Sequence, residues 1–327
     1  MSAVLFVVDP LEGLQADIDA SVGLMASVQV QASGAEVWAC GPEDLAVAEG
    51  RVTARAQRLR LAPRRRGGDH RWVVADPWYR VDARRTLDVA GETELTLLRI
   101  DPPVDARYLH TTYLLDLVET LGGRVANRPS GIRALHEKLV ALMFPELCPE
   151  TVVTTDPAAV RDLVARTGAA VVKPVDGFAG RDVWLLRDDD AALSLAESAT
   201  HAGTRHVVAQ AYLADVRDGN KRLFLLDGEV AGAVLRRPSA DDFRIGAPVA
   251  AANLDAHDRR IVAAVGPLLV EHGIALAGLD VIAGRLIEVN VTCPGGTHKT
   301  DALLGTDLSD AVVRRLLAPP VTERHSA

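Results

Sequence analysis

Cysteine, aromatic residues and lysine are all scarce in this sequence. Its three cysteines, Cys40, Cys148 and Cys293, are odd in number and far apart, with no pair at metal-ligand or redox spacing. That argues against a disulfide framework. No apolar run approaches the ~20 residues a membrane-spanning helix needs. The opening residues 2–10 lack a basic lead and a small-residue cleavage site, so they are read as a first strand rather than a signal peptide, and a cytoplasmic location is expected. No G-x-G-x-x-G follows that strand, where the turn is Asp9-Pro10-Leu11-Glu12-Gly13, and the usual dinucleotide fingerprint is therefore absent. A net charge of −8 argues against nucleic acid as the main partner. The Arg64-Arg65-Arg66 run is expected to be a solvated loop.

What is present is a chain of 327 residues, 48% apolar, long enough for a sizeable core and for two or three domains. Of 36 basic residues only four are lysine: Lys138, Lys173, Lys221 and Lys299. Where nearly every positive charge is a planar guanidinium, a lysine points to a place that needs a compact ammonium.

Residues 4–8 and 35–39 read as strands around a helical stretch at 17–32, a βαβ opening that predicts a parallel sheet. Residues 50–91, rich in Arg, Pro and Gly, are expected to be loops and short hairpins. A strand at 95–100 stops at Asp101-Pro102-Pro103, because proline cannot continue a central ladder. A helix at 105–121 and a short strand reaching Asn127 bring the chain to a domain boundary near Arg128-Pro129. Beyond it, helices are predicted at 130–143 and 157–166. A strand at 169–172 then runs through Lys173 into a turn containing Gly177 and Gly180 and back along 183–186. Such a hairpin tip suits a polyphosphate: glycines let backbone amides approach the oxygens and the lysine adds a point charge.

Residues 278–291 read as two strands about a three-residue turn at 283–285, which sets Asp280 opposite Glu288 with Asn290 on the same face. Opposed carboxylates repel unless a cation lies between them. Three hard oxygens on one face suit Mg²⁺ (or Mn²⁺), which leaves coordination sites for water and phosphate. Between these segments, 221–237 reads as a hairpin about Asp227-Gly228, with Arg222 and Arg237 on a shared, partly apolar face where each needs an anion.

In this order the parts resemble the ATP-grasp superfamily and, within it, the prokaryotic glutathione synthetase family, from about residue 4 to 317. The resemblance rests on Val8-Asp9-Pro10, Arg99-Ile100-Asp101-Pro102-Pro103, Asn127-Arg128-Pro129, Glu137-Lys138-Leu139, Lys173-Pro174-Val175-Asp176-Gly177, Gln210-Ala211-Tyr212-Leu213, Asp218-Gly219-Asn220-Lys221-Arg222, Gly278-Leu279-Asp280 and Glu288-Val289-Asn290-Val291-Thr292. It implies an α/β ATP-grasp fold: an N-terminal α/β domain at 1–128, an ATP-grasp domain at 129–318 with a central part to 210 and a C-terminal part from 211, and a tail at 319–327. It also implies a carboxylate-amine ligase in which a carboxylate attacks the γ-phosphate of ATP and an amine displaces phosphate from the acyl phosphate.

By the same resemblance, Lys138 and Lys173 bind phosphate, Gln210, Tyr212 and Leu213 hold the adenine, and Asn220 meets the ribose. Asp280, Glu288 and Asn290 hold the metal, and Arg222 and Arg237 lie near the transferring phosphate. Asp9, Arg99, Asp101 and Arg244 fall on the substrate side. Small-molecule acid and amine substrates, and a homo-oligomer, are the implied partners. The chain departs from the family at Asn220, usually Asp, in the shortened stretch 238–253, and in Cys293-Pro294-Gly295-Gly296-Thr297-His298-Lys299, where His298 and Lys299 either grip the acceptor or are flexible surface residues. Three readings remain open: glutathione synthesis from γ-glutamylcysteine and glycine, ligation of a different acid and amine, and a nucleotide-binding module or phosphotransferase without ligase activity.

Overall fold

The computed structural model describes residues 3–31, 35–177, 180–189, 191–239 and 242–318; the expected tail at 319–327 and the hairpin-tip residues Phe178 and Ala179 lie outside them. In the N-terminal sheet Ala3–Val8, buried at every position, lies between Glu36–Cys40 and Thr93–Arg99, both parallel to it. The helix Ala20–Gln31 connects the first two strands. It begins later than the apolar spacing predicts because Asp19 ends the preceding turn, its carboxylate accepting from Ser21 N at 2.7 Å.

Residues 50–91, expected to be loops and short hairpins, are mostly one long hairpin. They hold two long strands, Arg51–Leu61 and Tyr79–Asp88, paired antiparallel from Thr53↔Asp88 to Leu61↔Tyr79. The arginines hide a period of two: Val52, Ala54 and Ala56 are buried while Arg51 and Arg55 face water. The basic run is likewise no solvated loop. Arg64–Arg66 pairs with Trp72–Val74, and the Arg64 guanidinium sits 4.4 Å above the Trp72 ring.

The single helix predicted for 130–143 is two pieces, Pro129–Ala134 and a 3₁₀ turn Val140–Met143. Between them the chain is pulled onto a neighbouring strand, with the Glu137 carbonyl accepting from Val289 N at 3.0 Å. Tertiary pairing overrides helical spacing there, and Lys138 stands in the break.

Two antiparallel sheets follow. The smaller has the order Thr151–Thr154, Val207–Ala211, Ala169–Pro174, Trp184–Arg187. It has its own core with the helices Pro157–Thr167 and Ala192–Ala199, built on Val160, Leu163, Val172, Leu186 and Val207. The larger has the order Pro248–Ala251, Glu229–Arg236, Asn220–Leu226, Leu276–Ile282, Arg285–Asn290. Its core is continuous with the N-terminal sheet, running from Leu5, Val7 and Trp38 through Leu115 and Val140 to Leu223, Leu279 and Val289.

Candidate functional site

Two tight turns set the floor of the site. Ala283 and Gly284 both have positive φ, 48° and 71°, so the 276–290 hairpin turns on two residues, where three were expected. Ile282 therefore pairs with Arg285 and Val281 with Leu286. A bulge at the next step leaves Ile287 unpaired and restores Asp280↔Glu288. The expected opposition of the two carboxylates is present, reached by a shorter turn and one extra residue.

A bulge also decides the arginines. Leu226 pairs with Glu229 across Asp227-Gly228 as expected, but the ladder slips between Phe224 and Leu225, so that Arg222 faces Val234 and Asn220 faces Arg236. The face that carries Arg222 therefore carries Arg236. Arg237 is corrected accordingly: it is exposed, its Nε donates to Asp218 O at 3.1 Å, and it does not line the cavity.

Between the two antiparallel sheets lies a cavity of about 630 Å³. Lys173 and Gln210 enter it from the smaller sheet, Arg222, Arg236, Asp280, Glu288 and Asn290 from the larger, Lys138 from the helix break, and Asp101 from the end of an N-terminal strand. Gly177, Gly180, Tyr212, Leu213 and Arg244 also line it. Besides Arg237, three predicted residues do not. Asn220 is fully buried beneath Arg236, its Oδ1 accepting from Arg236 Nε at 3.1 Å, which removes it from the expected ribose contact. Asp9 stands behind Asp101, accepting from its backbone N–H at 2.8 Å. Arg99 is buried, donating to Ser21 Oγ at 3.2 Å and Pro294 O at 3.3 Å.

One end of the cavity suits a flat ring. Val171, Ile282 and Ile287 supply apolar walls, and the 210–213 segment supplies an edge. The amides of Ala211 and Tyr212 already donate to Glu150 O and Ala169 O, at 2.8 and 2.9 Å. Among the described residues the Leu213 N–H has no acceptor, so it is free to meet a base.

The other end is dense in charge. Lys138 and Lys173 are only 7% and 8% exposed. The Lys138 ammonium donates to Val175 O and Gly177 O at the base of the glycine hairpin and lies 3.7 Å from Glu288. Burial pushes the Lys173 pKa down against the pull of Glu288. Arg222 holds Asp280 with two bonds, Nε to Oδ1 at 2.7 Å and Nη2 to Oδ2 at 3.0 Å, and Arg236 Nη2 also reaches Oδ1. Burial alone would raise the Asp280 pKa; the two guanidiniums outweigh it and hold the carboxyl low. Arg236 is itself lowered to about 10, chiefly by burial.

A divalent ion fits the donor set. Asn290 uses its amide nitrogen on Gly278 O at 3.0 Å, which leaves its carbonyl oxygen for a ligand. With Glu288, which lies 3.7 Å from Lys138, it offers two hard oxygens, whereas both Asp280 oxygens already accept from Arg222 and Arg236, so Asp280 would join only by sharing an oxygen with a guanidinium.

Sequence reasoning missed Arg236 and Glu137. The Glu137 carboxylate accepts from Val291 N and Thr292 N, each at 3.0 Å, and from Thr292 Oγ1 at 2.6 Å, fixing the chain just past Asn290. Burial, then Glu288, raises its pKa. Only its place beside Lys138 hinted at it.

A cavity clamped between two antiparallel sheets, with buried ammonium groups facing carboxylates on adjacent strands, defines the ATP-grasp fold. Solved structures share it across the chain. A D-cycloserine synthetase, DcsG, superposes with TM-score 0.60 at 20% identity, covering 96% of this chain and 99% of that one. The ATP-grasp ligase PsnB, complexed with a minimal precursor, gives TM-score 0.63 at 16%, covering 97% and 98%. Residues 2–133 match the prokaryotic glutathione synthetase N-terminal domain and residues 137–305 the prokaryotic glutathione synthetase ATP-grasp domain. The glutathione synthetase of Thermosynechococcus vestitus is 38% identical over 320 residues, covering 96% of this chain and 99% of its own, and that of Gloeobacter violaceus is 41% identical over 320 residues, covering 95% of each. The chain belongs to the prokaryotic glutathione synthetase family.

Proposed function

We propose that this protein is an ATP-dependent, ADP-forming ligase that joins glycine to the cysteinyl carboxylate of γ-glutamylcysteine through an acyl phosphate. The observation that carries the reading is the convergence of Lys138, Lys173, Asp280, Glu288 and Asn290 on one cavity. It is supported by relatives that span the whole chain and are named for glutathione synthesis.

The residues divide the work by position. The 210–213 edge and the apolar slot take the base. Lys138, Lys173 and the glycine hairpin take the phosphates, and Arg236 faces the oxygens on which charge grows as the carboxylate attacks. A bound Mg²⁺ or Mn²⁺ at Asp280, Glu288 and Asn290 would offset the phosphate charge. Arg222 orients Asp280. Catalysis is then positioning and charge neutralisation, which is what phosphoryl transfer demands of a protein. The reading places the protein in the cytoplasm, where ATP is plentiful.

The test is ADP release by purified protein with ATP, Mg²⁺ and acid–amine pairs, with the product identified by mass. Release that needs both γ-glutamylcysteine and glycine, with a product of tripeptide mass, is expected. ADP accompanied by a phosphorylated alcohol would make it a kinase. Binding of ATP without turnover across a broad panel would make it a nucleotide-binding module.

A further inference from the structure

Lys299 lines the same cavity beside Cys293, Gly295 and Gly296, on the first turn of the helix Thr297–Leu304. It is half-buried, and among the described residues its ammonium makes no hydrogen bond and no ion pair. Four charges act on it: Arg71, Arg236, Asp17 and Asp19. The two aspartates are already engaged, Asp17 with Arg71 at 2.5 Å and Asp19 with the amides of Ser21 and Val22 at 2.7 and 3.3 Å. Burial pushes the Lys299 pKa down. An ammonium kept partly from water with no carboxylate in contact is costly, and an anionic ligand reduces that cost.

The ammonium is also placed in advance. Its neighbour His298 is fully buried and stacked on Trp72, ring centroids 5.1 Å apart, with Nδ1 3.2 Å from Arg64 Nη1. Gly296, at φ 105°, starts the helix in the left-handed region, so the positive end of the helix lies at the cavity wall. Gly295 and Gly296 put no side chain between Lys299 and Arg222, whose Nη1 is 3.3 Å from Gly295 O. Arg236 is among the charges that act on Lys299, so an anion held there shares the cavity with the guanidiniums on Asp280.

We infer that Lys299 holds a carboxylate that takes no part in the reaction, borne by one of the two ligated substrates, and thereby selects for a substrate with that second anionic group. The inference rests on the ligase reading above. Two sources have this chemistry: the α-carboxylate of the γ-glutamyl residue and the carboxylate of the glycine acceptor.

Lys299→Gln and Lys299→Arg are compared with the parent protein by ADP-release kinetics and by calorimetric titration with γ-glutamylcysteine and with glycine, in the presence of a non-hydrolysable ATP analogue. Lys299→Gln is expected to raise KM and weaken binding for one substrate by at least about tenfold, the scale of one charge-assisted bond, with KM for ATP unchanged. Lys299→Arg restores most of the loss. The defect disappears with glycinamide if the acceptor is held, and with the α-amide of γ-glutamylcysteine if the donor is held. Unchanged KM and binding for both substrates overturns the inference, as does a rise confined to ATP, which would make Lys299 a third phosphate lysine. Loss of substrate binding in Lys299→Gln, in a parent protein that binds but never turns over, keeps the carboxylate contact at Lys299 and removes the ligase reading. No binding of either compound to the parent protein overturns both.

Discussion

At the scale of single residues, one bulge decides which arginine serves the site. The Ala231 step moves Arg236 onto the face shared by Arg222 and Asp280 and turns Arg237 outward to Asp218 O. Arg236→Ala is expected to lower kcat by about 100-fold, the scale for removing one pre-aimed donor to developing charge, and Arg237→Ala to stay within about twofold of the parent. ADP release measures both, and equal losses would show that the register is wrong. Glu288→Ala should lower turnover on the order of 10³-fold with a melting temperature close to the parent's, since the proposed mechanism assigns it to the metal and its partner in the structure is Lys138 at 3.7 Å. Full activity in that variant would refute the metal assignment. The lysines were legible in the sequence because only four occur among 36 basic residues, and the acidic hairpin because alternation with period two puts Asp280 and Glu288 on one face. Arg236 and Asn220 were not, because a bulge leaves no mark on composition or period. Asp280 and Glu288 came out opposed only because an overlong turn in the reading and an unseen bulge at Ile287 cancel.

At the scale of elements, the sequence showed what local chemistry dictates and hid what packing dictates. The helix Ala106–Thr120 is set by Asp105, whose side chain accepts from Tyr108 N at 2.8 Å, and that cap was readable. The break at 135–139 was not, since only the distant 285–290 strand imposes it. The Arg64-Arg65-Arg66 run was misread as a solvated loop for a similar reason: its ribbon packs on the helix Thr297–Leu304. Trp72 Nε1 donates to His298 O at 2.8 Å, and His298 stacks on the Trp72 ring. Arg64 can only donate, so Nδ1 of His298 accepts and Nε2 carries the proton toward Ala16 O at 3.3 Å, which makes the ring neutral. Burial, then Arg64, lowers its pKa to about 3. The unfolded chain takes up that proton near pH 6.5, so the stability His298 contributes is complete above about 6.5 and is lost as pH falls from there toward 3, by at most ~1.4 kcal/mol per pH unit. Melting temperatures at pH 7.5 and 5 are expected to drop further for the parent protein than for His298→Gln. Equal drops would mean that this ring is not buried neutral.

At the scale of the whole molecule, the cores are arranged so that one part is separable. The N-terminal sheet and the larger antiparallel sheet share a core, which joins Leu5 and Val7 to Leu223 and Leu279. The smaller sheet shares none of it. Its Val160, Leu163, Val172, Leu186 and Val207 pack only with one another and their own helices. Opening of this unit exposes its own core alone, so its local stability lies below that of the rest. By the proposed function nucleotide changes that balance, because the cavity is lined by Lys173 and Gln210 from one sheet and by Asp280 and Glu288 from the other. Anything that binds only the closed arrangement stabilises it by mass action. In hydrogen exchange read by mass spectrometry, a saturating non-hydrolysable ATP analogue with Mg²⁺ should therefore slow exchange in Ala169–Pro174 and Val207–Ala211 by at least about tenfold and leave Ala3–Val8 unchanged. Analogue at about 100 times its Kd supplies roughly 2.7 kcal/mol, enough for that shift. Protection spread evenly over all three strands would show one cooperative unit, and protection absent from the smaller sheet would place the nucleotide outside the cleft.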